Sequence, residues 1–221
     1  MIYRAWADRM PESVELCLVQ LPGRGSRSLE SPFVRLISLV EAIEPAILEF
    51  LDKPFAFFGH SMGAKIGFEL ARHLRRKEKL EPTHLFVSGC RAPQLPREAR
   101  PIHDLPEPDF IEELRRLNGT PNEVLENPEL MQLMIPLLRA DFAVCSTHTY
   151  MAESPLSCSI SAYGGLADQE VSRENLEAWR VQTEAMFHLR TFPGDHFFVN
   201  ANRALLLRVL SEELDRVASA V

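Results

Sequence analysis

The segment Gly59-His60-Ser61-Met62-Gly63 constrains the fold of this chain more than any other sequence feature. An apolar run at residues 55–58 precedes it, and helical spacing of apolar residues begins directly after Ser61 and continues to about residue 79. This order predicts a strand, a sharp turn and a helix, with the serine hydroxyl held above the sheet. We expect glycine on both sides because side chains there would collide with the neighbouring strand or helix.

Strand-like and helix-like segments alternate along most of the chain. The strand candidates are residues 14–20, 55–58, 84–88, 158–163 and 187–192, and helical spacing occurs at residues 34–50, 62–79, 175–185 and 204–217. The apolar content is nearly continuous in Phe55-Ala-Phe-Phe58 and in Leu85-Phe-Val87, which is typical of strands that helices cover on both faces. We therefore predict an α/β fold with a mostly parallel sheet of five strands and helices on both faces.

One segment between the third and fourth strand candidates interrupts this alternation. An apolar stripe at residues 110–117 predicts a helix that Gly119 ends, and Asn127-Pro128 predicts the start of a second helix. Pro136 should kink or interrupt that second helix. Residues 104–150 also carry nine Asp and Glu against three Arg. We interpret this segment as a helical insertion whose apolar stripes either pack on the sheet as core or cover a cavity.

The composition and the charge argue against several classes of protein. A net charge of −7 is atypical of a general nucleic-acid or anionic-membrane surface. No uncharged apolar run approaches the roughly 18 residues that a membrane span requires, and the charged N-terminus does not resemble a signal peptide. The cysteines form no C-x-x-C pair and lie at no zinc-like spacing from histidine. We therefore expect a cytoplasmic protein without metal, membrane or nucleic acid as a partner.

A serine hydroxyl is unreactive at its own pKa, so a nucleophilic role for Ser61 requires a histidine base and an acid that orients the base. Asp168 and His196 lie in loops after the fourth and fifth strand candidates. Their order along the chain, after the serine, is typical of α/β-hydrolases. Asp195 competes as the acid, but adjacent side chains rarely face the same way. We predict Ser61, Asp168 and His196 as the catalytic triad, and structural or surface roles for the other six histidines.

Two further patterns are weak. Gly23-Arg24-Gly25 lacks the third glycine of a dinucleotide-binding loop, so a simple loop turn is the better interpretation. The basic residues within 72–79 fall at the predicted end of a helix, where cations are favourable in any case. We expect a solvated helix end there, with a docking patch as the alternative.

Five segments together resemble the type II thioesterases of polyketide, nonribosomal peptide and fatty-acid synthesis, which belong to the α/β-hydrolase superfamily. They are Leu21-Pro-Gly-Arg-Gly-Ser-Arg27, Pro54-Phe-Ala-Phe-Phe-Gly-His-Ser-Met-Gly63, Asn118-Gly-Thr-Pro121, Pro136-Leu-Leu-Arg-Ala-Asp141 and Gly194-Asp-His-Phe-Phe198. The resemblance extends from Tyr3 to the last predicted helix. The combination is far more specific than G-x-S-x-G alone, which would mark only a hydrolase.

The resemblance implies an enzyme that hydrolyses acyl thioesters on the phosphopantetheine arm of an acyl or peptidyl carrier protein, for editing or chain release. It implies Ser61 as the nucleophile, His196 as base and then acid, Asp168 as the orienting carboxylate, and the backbone N–H of Met62 as an oxyanion donor. It implies no metal or redox cofactor, and the carrier protein as the partner. We expect a monomer.

The resemblance also implies a division into a hydrolase core at residues 1–103 and 151–221 and a helical lid at residues 104–150. Apolar side chains of the lid would then contact the acyl group and set chain-length preference. The predicted substrate-binding residues are Phe110, Leu114, Leu117, Met131, Met134 and Leu138.

Members of this family carry a strand and a Pro-x-x-Gly-Gly-Gly type loop before the helix that here begins at Tyr3, and that loop supplies a second oxyanion N–H. We therefore expect the N-terminal strand and oxyanion loop to be missing, through a wrong start site or in a weakened enzyme. Two alternatives follow. One is a carboxylesterase or acyltransferase with the same triad, and the other is an N-terminally truncated, non-catalytic acyl- or carrier-binding protein.

Overall fold

The structure is a computed structural model that describes residues 2–96 and 100–219. The chain divides into two compact units. The first comprises Met1–Val19, Val40–Leu95 and Tyr150–Val221, and the second comprises Gln20–Leu39 and Pro96–Thr149. The sheet and the predicted triad residues all belong to the first unit.

A four-stranded parallel sheet forms the first unit's centre. Its strands are β1 (Ala56–His60), β2 (His84–Ser88), β3 (Ser159–Gly165) and β4 (Phe187–Phe192), and they lie side by side in chain order. Every ladder is parallel. The carboxyl ends of the four strands therefore meet at one edge, where the loops that follow them can bring polar side chains together.

The described residues contain eight α-helices. They are α1 (Leu36–Ile47), α2 (Met62–Glu78), α3 (Glu107–Leu117), α4 (Asn122–Leu125), α5 (Pro128–Thr147), α6 (Arg173–Glu177), α7 (Phe198–Ala201) and α8 (Arg203–Ser219). Short 3-10 helices lie at Ile2–Arg9, Gly25–Arg27, Leu48–Phe50 and Ala178–Gln182. Strand and helix alternate in the first unit, as the hydrophobic periodicity predicts.

Two apolar clusters lie on opposite faces of the sheet because successive strand residues point to opposite sides. Leu85 and Val87 of β2 pack in one cluster with residues of α2 and α6. Phe86, between them, packs in the other cluster with Trp6 of the first 3-10 helix and Leu210 of α8. Helices therefore cover both faces, and the predicted α/β architecture is confirmed.

The prediction of a strand at residues 14–20 is wrong. These residues have no regular structure, and the side chains of Leu18 and Val19 are 41% and 55% exposed. β-forming residues make a strand only when a neighbouring strand completes the hydrogen bonds of their backbone. Among the described strands none pairs with this segment, and β1, at the sheet edge, pairs with β2 alone.

Helices α3, α4 and α5 of the second unit pack around an apolar cluster of their own. The predicted start of α5 is confirmed, since the side chain of Asn127 accepts hydrogen bonds from the backbone amides of Glu129 and Leu130. Pro136 does not interrupt α5, which continues for 20 residues. Proline removes one helical hydrogen bond, and here the adjacent Ile135 is buried in the cluster, which favours continuation of the helix.

Helix α5 is long and apolar enough to cross a membrane, by length and composition only. The same helix carries Arg139, which donates to the carbonyl of His103, and Asp141, which pairs with Arg24 at 2.6 Å. A single helix of this kind is weak evidence for a membrane span, since core helices pass the same test. The absence of a membrane partner stays a prediction.

Candidate active site

Ser61 lies in the turn between β1 and α2, in a backbone conformation that L-residues rarely adopt, with φ 53° and ψ −113°. Its backbone N–H donates to the carbonyl of Ser88 at the end of β2, at 2.7 Å. Such a conformation costs free energy and persists only where the surroundings fix it. The bond to Ser88 fixes this turn to the neighbouring strand, at the carboxyl edge of the sheet.

The two glycines beside Ser61 are not equivalent. A Cβ at Gly59 would lie 2.1 Å from the backbone oxygen of Gly63, so the strand and the helix approach too closely for any side chain there. A Cβ at Gly63 would meet no described atom within 4 Å. The predicted steric need for glycine is therefore confirmed at Gly59 and wrong at Gly63, where α2 begins in open space.

Asp168 and His196 come together from the loops after β3 and β4. The Asp168 carboxylate Oδ2 lies 2.8 Å from His196 Nδ1. The loops are joined by the amide of Ala167, which donates to the carbonyl of Gly194 at 2.8 Å. They also touch at Gly165, where a Cβ would lie 2.2 Å from the carbonyl oxygen of Asp195. Both loops are thus held in register, which orients the imidazole ring.

The Asp168 carboxylate is favoured in its charged form. Burial of its side chain raises its pKa, but the hydrogen bond to His196 and those from the amides of Glu170 and Val171 outweigh that effect, so the pKa lies below its usual 3.8. An ionised carboxylate at Nδ1 selects the tautomer that leaves Nε2 of the imidazole able to accept a proton.

The competing acid, Asp195, does not bind His196. Its side chain is exposed and accepts a hydrogen bond from the backbone amide of Phe197 at 2.9 Å, two residues along the chain. This local turn holds the carboxylate away from the imidazole of the adjacent residue. The choice of Asp168 over Asp195 as the histidine's partner therefore agrees with the geometry.

His60 is a second imidazole at this edge of the sheet. Its ring centroid lies 5.0 Å from that of His196, and its Nδ1 lies 3.0 Å from the hydroxyl of Ser88. Burial, with a smaller contribution from the positive charge of His196, lowers the pKa of His60 to about 3. His60 is therefore neutral at pH 7.

Gly89 completes the edge, and sequence reasoning missed it. Its φ is +53°, and a Cβ there would lie 2.6 Å from Cε1 of His60 and 3.2 Å from Cε1 of His196. Its amide donates to the carbonyl of Tyr163 at 2.8 Å. The available signal was a glycine directly after an apolar strand, Ser88-Gly89, where a close approach to a side chain of the site is common.

Ser61 and His196 each follow a strand at the carboxyl edge of the sheet, and no hydrogen bond joins them among the described residues. Ser88 contacts the backbone amide of Ser61 and the ring of His60. The next residue, Gly89, lies against the ring of His196. Catalytic hydrogen bonds are often long before substrate binds. The amide of Met62, at the start of α2, has no acceptor among the described backbone hydrogen bonds, which suits the predicted oxyanion role.

Three of the other histidines have a described hydrogen-bonding partner in a distant part of the chain. His73 contacts Glu44, His84 contacts Ser161, and His103 contacts Ser146, each through one ring nitrogen at 2.7–2.9 Å. No group of three or more His, Cys, Asp or Glu side chains able to hold a metal occurs within residues 2–96 and 100–219.

The predicted substrate-binding residues of the insertion fall into two sets. Phe110, Leu114 and Met131 are buried in the insertion's own cluster, and Leu117, Met134 and Leu138 are half-buried. Met131 also lines a groove of about 200 Å³ together with Ile111 and Leu125. The fully buried side chains stabilise the helices of the second unit, and contact with a substrate stays a prediction for all six.

Comparison with known proteins points to one family. The model of the thioesterase domain matches residues 1–214 of this chain. The gramicidin S biosynthesis protein GrsT of Aneurinibacillus migulanus is 45% identical over 209 residues, which cover 95% of this chain and 82% of GrsT.

Solved structures agree with the sequence relatives. RedJ, a thioesterase from the prodiginine biosynthetic pathway of Streptomyces coelicolor, superimposes with a TM-score of 0.89 at 38% identity, covering 96% of this chain and 84% of RedJ. YbtT, a type II thioesterase from the yersiniabactin NRPS/PKS pathway, superimposes with a TM-score of 0.84 at 30% identity, covering 98% of this chain and 88% of YbtT. Both similarities extend over nearly the whole chain.

Proposed function

Since this chain belongs to the thioesterase domain family, with type II thioesterases among its relatives, we propose that it hydrolyses acyl groups bound as thioesters to a carrier protein of a nonribosomal peptide or polyketide pathway. The reaction would use Ser61, His196 and Asp168. The observation that carries this proposal is the 2.8 Å contact of Asp168 with His196, at the sheet edge where the strained turn presents Ser61.

In the first half of the reaction, the Ser61 hydroxyl attacks the thioester carbonyl while Nε2 of His196 accepts its proton. The C–S bond breaks, His196 returns the proton to the departing thiolate, and an acyl-Ser61 ester remains. Asp168 holds His196 in the required tautomer and stabilises the imidazolium that forms.

In the second half, His196 removes a proton from water as the water oxygen attacks the carbonyl carbon of the acyl-Ser61 ester. The bond between that carbon and the Ser61 oxygen then breaks, His196 returns the proton to the Ser61 oxygen, and the carboxylic acid leaves. The Met62 amide would stabilise the oxyanion in both halves, and its position at the start of the 17-residue helix α2 adds the favourable dipole of a helix N-terminus.

We place the acyl chain in contact with the insertion, residues 104–150, which would act as the lid. What supports this is apolar surface on helix α5 of that segment. Leu130 and Leu133 of α5 are 42% and 76% exposed, and the groove beside Met131 has room for several methylene groups.

The decisive variant is Ser61→Ala, assayed with an acyl-pantetheine thioester and with an acyl carrier protein. We expect hydrolysis to fall by at least about 10³-fold in the folded variant. Unchanged hydrolysis would overturn the triad and favour a non-catalytic acyl- or carrier-binding protein.

A matched pair of substrates separates the proposal from a carboxylesterase with the same triad. We expect the wild-type protein to prefer an acyl-pantetheine thioester over the oxygen ester of the same acyl chain. A clear preference for the oxygen ester would favour the carboxylesterase. Transfer of the acyl group to an added alcohol or amine, in place of water, would favour an acyltransferase.

A further inference from the structure

We propose that His60 is a positioning residue for His196 and that the hydroxyl of Ser88 holds it in place. The inference rests on the proposed function, because it assigns a role relative to the catalytic base. It assigns a function to His60, the second residue of the G-x-S-x-G segment, and to Ser88, the last residue of β2. Neither residue belongs to the proposed triad.

Ser88 binds two consecutive residues, His60 and Ser61, where β1 ends and the turn begins. Its carbonyl accepts the backbone N–H of Ser61 at 2.7 Å, and its hydroxyl lies 3.0 Å from Nδ1 of His60. Ser88 is completely buried, so neither bond competes with solvent. One residue of β2 therefore fixes both the nucleophile backbone and the neighbouring imidazole.

The His60 ring packs against His196 and the two residues that follow it. Its centroid lies 5.0 Å from His196, 6.3 Å from Phe197 and 5.8 Å from Phe198, the residue at which α7 begins. The ring thus packs against three consecutive residues of the loop that presents the base. Asp168 fixes only one nitrogen of His196, and a second contact is needed to fix the tilt of the ring.

Gly89 lies against both imidazoles, and no side chain fits between them there. The position of the His60 ring is therefore bounded by His196 on one side, by Gly89 on another and by the Ser88 hydroxyl at Nδ1. Loss of the Ser88 hydroxyl frees the His60 ring to rotate, and the contact with His196 is then lost.

The test compares Ser88→Ala, His60→Phe and the double variant. Ser88→Ala removes the hydroxyl, and His60→Phe keeps a ring without the nitrogen that binds it. We expect each single variant to lower kcat by about 10- to 100-fold with KM within about twofold, because a displaced catalytic group costs rate and not substrate binding. We expect the double variant to be no slower than either single variant, because both remove the same interaction.

A matched control is available in the same sheet. Ser161 of β3 is a buried serine whose hydroxyl lies 2.9 Å from Nε2 of His84, so it forms the same kind of pair away from the triad residues. We expect Ser161→Ala to lower thermal stability and to leave kcat unchanged. The rate at which a fluorophosphonate labels Ser61 gives a second readout without substrate. It should fall in Ser88→Ala and in His60→Phe and stay at the wild-type value in Ser161→Ala.

Three results would overturn the inference. They are wild-type kcat in Ser88→Ala, multiplicative losses of kcat in the double variant, or an equal loss of kcat in Ser161→Ala. The failure of the proposed function itself has another signature, which is full thioesterase activity in Ser61→Ala.

Discussion

The residues around the nucleophile show how closely β1 and α2 approach each other. At Gly59 the backbone of the helix occupies the volume that any side chain would need, whereas at Gly63 that volume is open. The two glycines of this short segment therefore differ in how much space surrounds them. Only Gly59 is required by packing, and the difference can be measured as stability.

We expect Gly59→Ala to lower the free energy of unfolding by about 3 kcal/mol or more, because the clash at 2.1 Å is with backbone and cannot be relieved by a side-chain rotation. Gly63→Ala is the control, and there the free energy should stay the same or rise by up to about 1 kcal/mol, since alanine favours helix. Urea unfolding of both variants measures this. Equal destabilisation would contradict the open space at residue 63.

The contact of Asp168 with His196 predicts a large kinetic effect from a small change. Asp168→Asn keeps the shape of the side chain but favours the wrong imidazole tautomer, so we expect kcat to fall by about 10³- to 10⁴-fold. Asp195→Asn keeps an acceptor for the Phe197 amide and should leave kcat within about twofold. Steady-state kinetics with one thioester substrate measures kcat of both variants. Similar losses of kcat in the two variants would contradict the assignment of Asp168 as the acid.

At the scale of elements, the basic end of α2 matches the expected solvated helix end only in part, because Arg76, Lys77 and Lys79 are exposed whereas Arg72 is buried. Arg72, Arg75 and Arg76 all bind Glu153, at 2.6–3.2 Å, in the segment that leads from α5 towards β3. Arg72 and Arg75 also donate to backbone carbonyls of that segment. These charges fix one element to another within the first unit, so fewer of them are available to a carrier protein.

The three arginines should contribute unequally to stability. Arg72 and its partner Glu69 are each 3% exposed, so Arg72→Met removes a buried ion pair and should cost about 3–5 kcal/mol in the free energy of unfolding. Arg76, at 44% exposed, binds the same Glu153, and Arg76→Met should cost less than about 1 kcal/mol. Chemical denaturation measures the free energy of unfolding of both variants. Equal losses would show that burial does not determine how much each arginine contributes to stability.

Periodicity and motif spacing were enough to predict the elements that carry the site. The predicted strands at 55–58, 84–88 and 187–192 match β1, β2 and β4 within two residues. Short apolar runs predict the first two strands, and apolar residues at every second or third position predict the last. Residues 14–20 carry the same local signal without a described neighbour to pair with. Sheet pairing is a long-range property, and single-segment patterns do not contain it.

The candidate site was likewise predicted only in part from the sequence. Ser61, Asp168 and His196 could be selected from motif, loop position and chain order. Gly89 and the role suggested for Ser88 depend on distances across the sheet, since each acts on a residue more than 25 positions away. The three-way pairing with Glu153 is equally non-local, because charges along one helix do not reveal which segment lies beside it.

At the scale of the whole molecule, buried histidines make the fold sensitive to acid. His84 is 4% exposed, and burial lowers its pKa to about 4, although Glu213 of α8 opposes the shift and His188 of β4 adds to it. Its neighbourhood also includes Ser161, which donates to Glu213 at 2.6 Å, and Arg190, which pairs with Glu213 at 3.2 Å. The pKa of His60 is lowered further, to about 3.

Between the lowered pKa values and the ordinary value of about 6.5, the unfolded chain binds more protons than the folded one. The contribution of both histidines to stability is therefore complete above pH 6.5 and declines as the pH falls towards 4. Between pH 7 and pH 5 we expect the free energy of unfolding to fall by about 2 kcal/mol for each histidine. Urea unfolding at both pH values measures this, and His84→Gln should remove one histidine's share. A curve that is flat between pH 7 and pH 5 would contradict the argument.

Strand order along the sheet has a consequence for synthesis on the ribosome. Among the described strands, Ser61 follows β1, the earliest along the chain, whereas His196 follows β4, the latest, and α8 comes after both. On the proposed mechanism, a nascent chain therefore contains its nucleophile long before it contains its base. If the proposed triad is correct, a chain that stops before residue 196 lacks the base and cannot hydrolyse thioesters.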